Sequence, residues 1–150
     1  MNKLIVIYLI LLLIVVVLLG TSIYYDCIYL GSPDAKLAAC CIVVGVLGGV
    51  THCLRAFYLH HCVLKDWQAD WAPWYFIRPV VSGVMGFISM LFIKAGLLAF
   101  SSTTDVQVEN RIVLYLAVAF LAGYNVQNFL KKIEEVSESL LGVKKKIPPD

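Results

Sequence analysis

The side chains of this chain that could do chemistry lie at the end of an apolar stretch, in T-H-C-L-R-A-F-Y-L-H-H at 51–61. The candidates among its charged or titratable side chains are His52, Arg55 and His60. Such groups are costly at membrane depth, so they are usually paired or functional. On a helix His52 and Arg55 share a face, and Arg55 can also extend its side chain to the membrane surface as an anchor. A functional role and a plain anchoring role both stay open for these residues.

Two catalytic interpretations of this segment are weak. Arg55 and His60 have the R-x-x-x-x-H spacing of the catalytic pair in HEPN-type ribonucleases, but positions five apart on a helix point ~140° away from each other. His60, His61 and Cys62 could suggest a metal, but adjacent histidines diverge by ~100° and no carboxylate stands four residues after either one. We therefore predict a protein that is not an enzyme, without catalytic, cofactor or metal residues and without direct nucleic-acid binding.

The segment W-Q-A-D-W-A-P-W-Y-F-I-R-P at 67–79 holds all three tryptophans of the chain. Trp67, Trp71 and Trp74 are spaced i, i+4, i+7, so on a helix they form one face, and Asp66 and Asp70 form an adjacent one. Indole rings favour the level of lipid headgroups, where one edge is wet and one face is apolar. The pattern predicts an interfacial helix with its carboxylates in water.

The end of the same segment carries the residues to which we assign an interfacial role, Trp74, Tyr75 and Arg78. Pro79 suits the first turn of the following span. Arg78 is expected to pair with a lipid phosphate, with Asp66 or Asp70, or to stack on an indole. A partner or headgroup site around Arg78 is the functional interpretation of the segment.

The elements that must position these residues are apolar helices. The chain of 150 residues is 61% hydrophobic and only 15% charged, with a mean hydropathy of +0.85. Four apolar segments, at about 4–24, 37–59, 80–100 and 112–129, are long enough to span a bilayer. We predict an all-α membrane protein with four transmembrane helices, in which the first is an uncleaved anchor. Residues 1–142 form a single domain and 143–150 a basic tail.

The distribution of Lys and Arg predicts the orientation. With the N-terminus inside, nine of these residues fall on the inner side and two, Lys36 and Arg111, on the outer side, while Lys94 stands inside the third span. This bias predicts that both termini lie in the cytoplasm. The Trp-rich link is then cytoplasmic.

The C-terminal stretch predicts an amphipathic cytoplasmic helix that continues the fourth span. Its apolar stripe recurs at i, i+4, i+7 and i+11, and Gly142 is a suitable C-cap. The stripe needs a partner, which is either the protein's own cytoplasmic link or a neighbouring subunit. Polar residues precede it and are candidates to line a pore. The stripe consists of Phe129, Ile133, Val136 and Leu140, and the pore candidates are Asn125, Gln127 and Asn128.

Small residues recur at helical spacing in spans two, three and four. Such faces let helices approach closely, either within one bundle or between copies. Both possibilities stay open from the sequence. The residues are Gly45, Gly49, Ser82, Gly86, Ser89, Ala119 and Gly123.

Three blocks, GGVTHCLRAFYLHH, WAPWYFIRPVVSGVMGF with IKAGLLAF, and FLAGYNVQNFLKKIEEVSESLLG, resemble a group of small bacterial membrane proteins. Their shared feature is an aromatic residue followed by Arg-Pro and Gly at the start of a span, which here is Tyr75–Gly83. Such proteins are similar in build to membrane accessories of anti-phage systems, one kind of which forms an oligomeric pore beside an RNA-targeting CRISPR effector. The resemblance covers about residues 45–142 and implies a pore-type effector in the bacterial inner membrane.

Two functions follow as hypotheses. The first is a homo-oligomeric pore that permeabilises or depolarises the inner membrane, in contact with membrane lipid. The alternative is a membrane-anchored scaffold that docks a cytoplasmic protein partner through the 67–78 link and the C-terminal helix.

Overall fold

The computed structural model describes residues 2–24, 31–65, 71–96 and 108–142, and every regular element in these ranges is a helix. The predictions for Asp66, Trp67, Asp70 and the basic tail therefore lie outside the described residues. The helices are α1 (Asn2–Tyr24), α2 (Pro33–Tyr58), a π-helical turn at Leu59–Val63 that extends α2, α3 (Ala72–Lys94), α4 (Val108–Tyr124) and α5 (Val126–Leu141).

Three helical segments are long and apolar enough to cross a membrane, and a bent pair brings the number to four if it counts as one span. The three are Val6–Ile23, Pro33–Val63 and Ala72–Lys94, and the bent pair is Ile112–Tyr124 with Val126–Ser139. The prediction of an all-helical membrane protein is thereby confirmed, and in place of the four predicted spans the structure has three to four helices long enough to cross a membrane.

The ends of α2 and α3 have clear local causes. Ser32 caps α2, because its Oγ accepts a hydrogen bond of 3.2 Å from the backbone N–H of Ala35, and Pro33 occupies the first turn. In α3 it is Pro73 that occupies the first turn, while Pro79 lies inside the helix. The expectation that Pro79 begins this span is wrong. Trp74, Tyr75 and Arg78 therefore belong to the spanning helix itself.

Small residues bring α2, α3 and α4 into close contact. A Cβ atom built on Gly45 would lie 2.6 Å from the carbonyl oxygen of Ser82 and 2.9 Å from the Cα of Gly86, and one on Gly123 would overlap the carbonyl of Gly45. Only glycine tolerates such approaches, since any side chain would push the backbones apart. From α1 to α4, consecutive helices pack antiparallel, and α2 and α4 run parallel, as the positions that meet along each pair of helices indicate.

The fourth apolar segment differs from its prediction as one continuous helix. It breaks at Asn125, whose φ and ψ are −120° and 56°, and α4 and α5 are bent by 108°. As a result α4 has 17 residues, about 25 Å of helix, which is less than the ~30 Å of a typical hydrocarbon core.

The apolar stripe of α5 packs partly on its own bundle. Phe129 and Ile133 lie against the buried cluster of Met85, Ala122 and Val126. Val136 is half-buried, and the side chain of Leu140 lies outside the described part of the chain. Gly142, with φ of 64°, ends the helix as its left-handed C-cap, as predicted.

Candidate functional site

Four helix ends meet at the end of the bundle where α2 stops and α3 begins, which we call the α2–α3 end. Near the start of α1, the Tyr8 ring lies 4.7 Å from that of Phe76 in α3. Leu9 joins Cys53 and Tyr75 in a fully buried cluster. Tyr124, the last residue of α4, arrives at the same place through its contacts with α2 and α3. The polar residues of separate spans are thus gathered at one level.

Arg78 is the most deeply buried charge of the site, with 8% of its surface exposed. Its Nη2 donates to the backbone carbonyl of Tyr124 at 3.3 Å, and its Cζ lies 5.4 Å from the centre of the Trp74 ring. Its Nε is completely buried and has no hydrogen-bond acceptor among the described residues. One weak hydrogen bond and one cation–π contact therefore offset the desolvation of this guanidinium.

Arg55 approaches Tyr124 from α2. Its Nη1 donates to the Tyr124 hydroxyl at 2.7 Å. The ring of His52, one turn earlier, meets the Tyr124 ring edge-on at 5.3 Å and the Trp74 ring at 5.8 Å. The Nδ1 of His52 is buried without a hydrogen-bond partner among the described residues. His52 and Arg55 share a face of α2, as their spacing indicates, and that face meets α4.

A cavity of about 450 Å³ opens beside this cluster. Its walls are predominantly aromatic and imidazole rings, and His60 meets Trp71 edge-on at 4.7 Å. The π-helical turn that carries His60 also stacks His61 on Phe57, with ring centres 5.0 Å apart. π-Helical turns are rare and often occur at functional sites. The cavity is lined by His52, Ala56, His60, Trp71, Trp74 and Tyr75.

The electrostatic character of the cluster is positive. Two guanidinium groups bracket Tyr124, and no carboxylate of the described residues lies within ion-pair distance of either one. Arg55 is exposed, whereas Arg78 is enclosed by α2, α3 and α4. The arrangement is suited to holding an anionic group.

The remaining predicted residues lie elsewhere. Lys94 is at the opposite end of the bundle, where its Nζ is 2.7 Å from Oδ1 of Asp34 and ties α3 to α2. Asn125, Gln127 and Asn128 are exposed at the α4–α5 corner or on α5. Because the helix breaks at Asn125, this residue and Asn128 do not continue one straight helical face as expected.

The small residues assigned to packing lie inside the chain's own bundle. Ser82 is fully buried and its Oγ donates to the carbonyl of Gly123 at 2.8 Å. Ser89 is also fully buried, but it donates within its own helix, to the carbonyl of Gly86 at 2.7 Å. Gly49 faces Ser82, and Ala119 is enclosed in a cluster with Cys41 and Met90.

The described structure does not bring together the side chains that either catalytic interpretation requires. Arg55 bonds to Tyr124 of α4, whereas His60 packs on Trp71 beside α3. Within the described ranges, no group of three or more His, Cys, Asp or Glu side chains could hold a metal ion.

Sequence reasoning missed Tyr124, Asp34 and the π-helical turn. Tyr124 follows the small pair of span four without any pattern that marks it. Only its contacts with two other helices reveal its role. Comparisons of the chain with protein-family models, with curated proteins and with solved structures each gave no match.

Proposed function

We propose that this chain is a membrane-anchored docking protein, which holds α5 and the 67–78 link at the cytoplasmic surface of a bacterial inner membrane for a protein partner. The observation that carries the proposal is the 108° break between α4 and α5. If α4 crosses the membrane, α5 runs close to the membrane plane rather than away from it.

The side chains of α5 support this use. Phe129 and Ile133 attach the helix to the bundle, so its position is set by packing. The opposite face is charged, and its residues are exposed. Amphipathic helices at membrane surfaces have this division between an apolar and a charged face. The exposed charged residues are Lys131, Lys132, Glu134, Glu135 and Glu138.

The outer surface of the bundle favours the docking function rather than the pore function. A water-filled path needs polar side chains along the length of a span. The exposed large residues of the described spans are instead mostly aliphatic, and the small residues that could have joined copies are used between α2, α3 and α4. The aliphatic residues include Ile7, Leu11, Val15, Leu18, Val80, Val84 and Leu121.

Our second proposal is a homo-oligomeric pore-type effector of anti-phage defence. The exposed amides Asn125, Gln127 and Asn128 favour it, because amides at membrane depth need partners or water. A ring of copies would bring these amides to a shared axis.

Site-specific photo-crosslinking in cells separates the two proposals. A photoreactive residue replaces Glu135 on the charged face of α5, and the control replaces Val84 on the lipid-facing side of α3. Membrane potential is recorded during strong expression. If the chain is a docking protein, we expect a discrete crosslinked product with a different protein at position 135 and none at position 84. The membrane potential should stay unchanged. A ladder of self-products from either position, together with a collapsed potential, would support the pore and contradict docking.

A further inference from the structure

We propose that Arg78, with Arg55 and the adjoining aromatic cavity, binds the phosphate of an anionic membrane phospholipid. The proposal rests on the membrane placement of the chain, and it is independent of whether α5 docks a partner. It assigns a ligand class to the α2–α3 end.

The unmet charge of Arg78 is the first reason. A guanidinium has five N–H donors, and among the described residues a single acceptor, the Tyr124 carbonyl, meets one of them. A charge that is removed from water is retained in proteins when an opposite charge accompanies it. Arg55, which contacts the same tyrosine, adds a like charge rather than an opposite one. The cluster therefore needs an anion.

The depth of the site is the second reason. Arg78 lies in the second turn of α3, beside Trp74, and Trp71 precedes the helix. Indole rings favour the headgroup level of a bilayer. Lipid phosphates lie at that level too, so the phosphate has no need to enter the hydrocarbon core to reach the cluster.

The surroundings favour a lipid over a soluble phosphate. Leu121, one turn before Tyr124 on α4, is 61% exposed and offers an apolar surface to acyl chains next to the residue that Arg78 and Arg55 contact. The cavity of about 450 Å³ is within the range of ~300–1,000 Å³ that is usual for small-molecule sites, and its rings can cover a glycerol headgroup. A free phosphate would use none of this apolar surface.

The experiment uses the full chain purified in mild detergent. Short-chain phosphatidylglycerol is added, and native mass spectrometry and thermal unfolding record binding. Short-chain diacylglycerol, which lacks the phosphate, and inorganic phosphate, which lacks the chains, are the matched ligands. We expect one retained phosphatidylglycerol and a raised midpoint of unfolding for the wild type. Neither matched ligand should reproduce these effects at the same concentration.

The variants test the residues. Arg78→Gln is expected to weaken phosphatidylglycerol binding by about tenfold or more, because a charge-assisted hydrogen bond to phosphate is lost. Arg78→Lys keeps the charge without the planar fork, so its affinity should be intermediate and its fold intact. Lys131→Gln on exposed α5 removes the same charge elsewhere and should bind like the wild type.

Three results would overturn the proposal. The first is equal binding by Arg78→Gln and the wild type. The second is an equal effect of inorganic phosphate, which would assign the site to a soluble ligand. The third is a wild-type protein that retains no lipid, combined with a loss of stability in Asp66→Asn or Asp70→Asn that equals the loss in Arg78→Gln. This result would identify a protein carboxylate as the partner of Arg78.

Discussion

At the scale of single residues, Tyr124 connects the polar groups of three helices. Its hydroxyl accepts from Arg55, its carbonyl accepts from Arg78, and its ring lies against His52. The last carbonyls of a helix lack intrahelical partners and lie at the negative end of its dipole. A cation at this carbonyl therefore stabilises the C-terminal end of α4, because it supplies a donor that the helix itself lacks there.

The hydroxyl of Tyr124 can be removed without changing its ring. Tyr124→Phe should lower the free energy of unfolding by about 0.5–1.5 kcal/mol, which is the usual net value of one hydrogen bond. Denaturation in mixed detergent micelles would measure the change. Tyr115→Phe, a half-buried position of the same helix, is the control. An equal loss in both variants would mean that the Arg55 contact contributes nothing specific.

Two buried serines of α3 provide a matched pair. Ser82 bonds to the Gly123 carbonyl of α4, whereas Ser89 bonds to Gly86 of its own helix. Ser82→Ala should therefore lower the free energy of unfolding by about 1 kcal/mol more than Ser89→Ala, since a carbonyl of another helix loses its extra donor. The same denaturation assay compares the two, and the reverse order would exclude an interhelical role for Ser82.

At the scale of elements, the corner between α4 and α5 determines where α5 lies on the bundle. The 108° turn brings Phe129 and Ile133 onto the cluster of Met85, Ala122 and Val126. The Asn125 N–H donates to the Leu121 carbonyl, and the Phe129 N–H donates to the Asn125 carbonyl, so both backbone groups of Asn125 are hydrogen-bonded at the break. Hydrogen bonds thus hold the backbone at Asn125, and apolar contacts hold α5 against the bundle, so α5 has a defined position.

The attachment of α5 can be broken selectively. Ile133→Asp places a carboxylate against an apolar cluster, and we expect faster amide hydrogen exchange throughout α5 while α2 and α3 keep their protection. Leu130→Asp is the control, because Leu130 is 39% exposed. Unchanged exchange in Ile133→Asp would show that its contact with the bundle does not hold the helix.

At the scale of the whole molecule, the ends of the bundle differ in character. The α2–α3 end gathers two arginines, His52 and the Trp71–Trp74 rings around a cavity, while the opposite end carries the exposed ion pair of Lys94 and Asp34. Exposed ion pairs contribute little stability, roughly 0–1 kcal/mol. The lipid site that we propose lies at the α2–α3 end.

Topology reporters test the orientation that we predict from the positive charges. A reporter that is active only outside the inner membrane should be silent when fused after Asp150, and active when inserted near Ser101–Asp105. Both fusions are judged against equal expression levels. The opposite pattern would contradict cytoplasmic termini and place the Arg78 cluster on the outer side.

The sequence by itself determined the class of the protein and its helices, because apolar length and helical spacing are local properties that need no knowledge of neighbours. It also identified the small residues and most of the polar ones, including His52, Arg55 and Arg78. It could not assign the small residues to one bundle or to several copies, since close approach depends on which helices face each other.

The tertiary structure alone decided the arrangement of the site. The convergence of Arg55 and Arg78 on Tyr124 joins residues 69 and 46 positions apart in the chain, and no local pattern encodes such a distance. The break at Asn125 likewise places side chains of α5 against Met85 and Ala122, which are far from it in the chain or on another helix. Hydrophobic periodicity is nearly the same in a straight and a bent helix pair, so only the packing partners distinguish them.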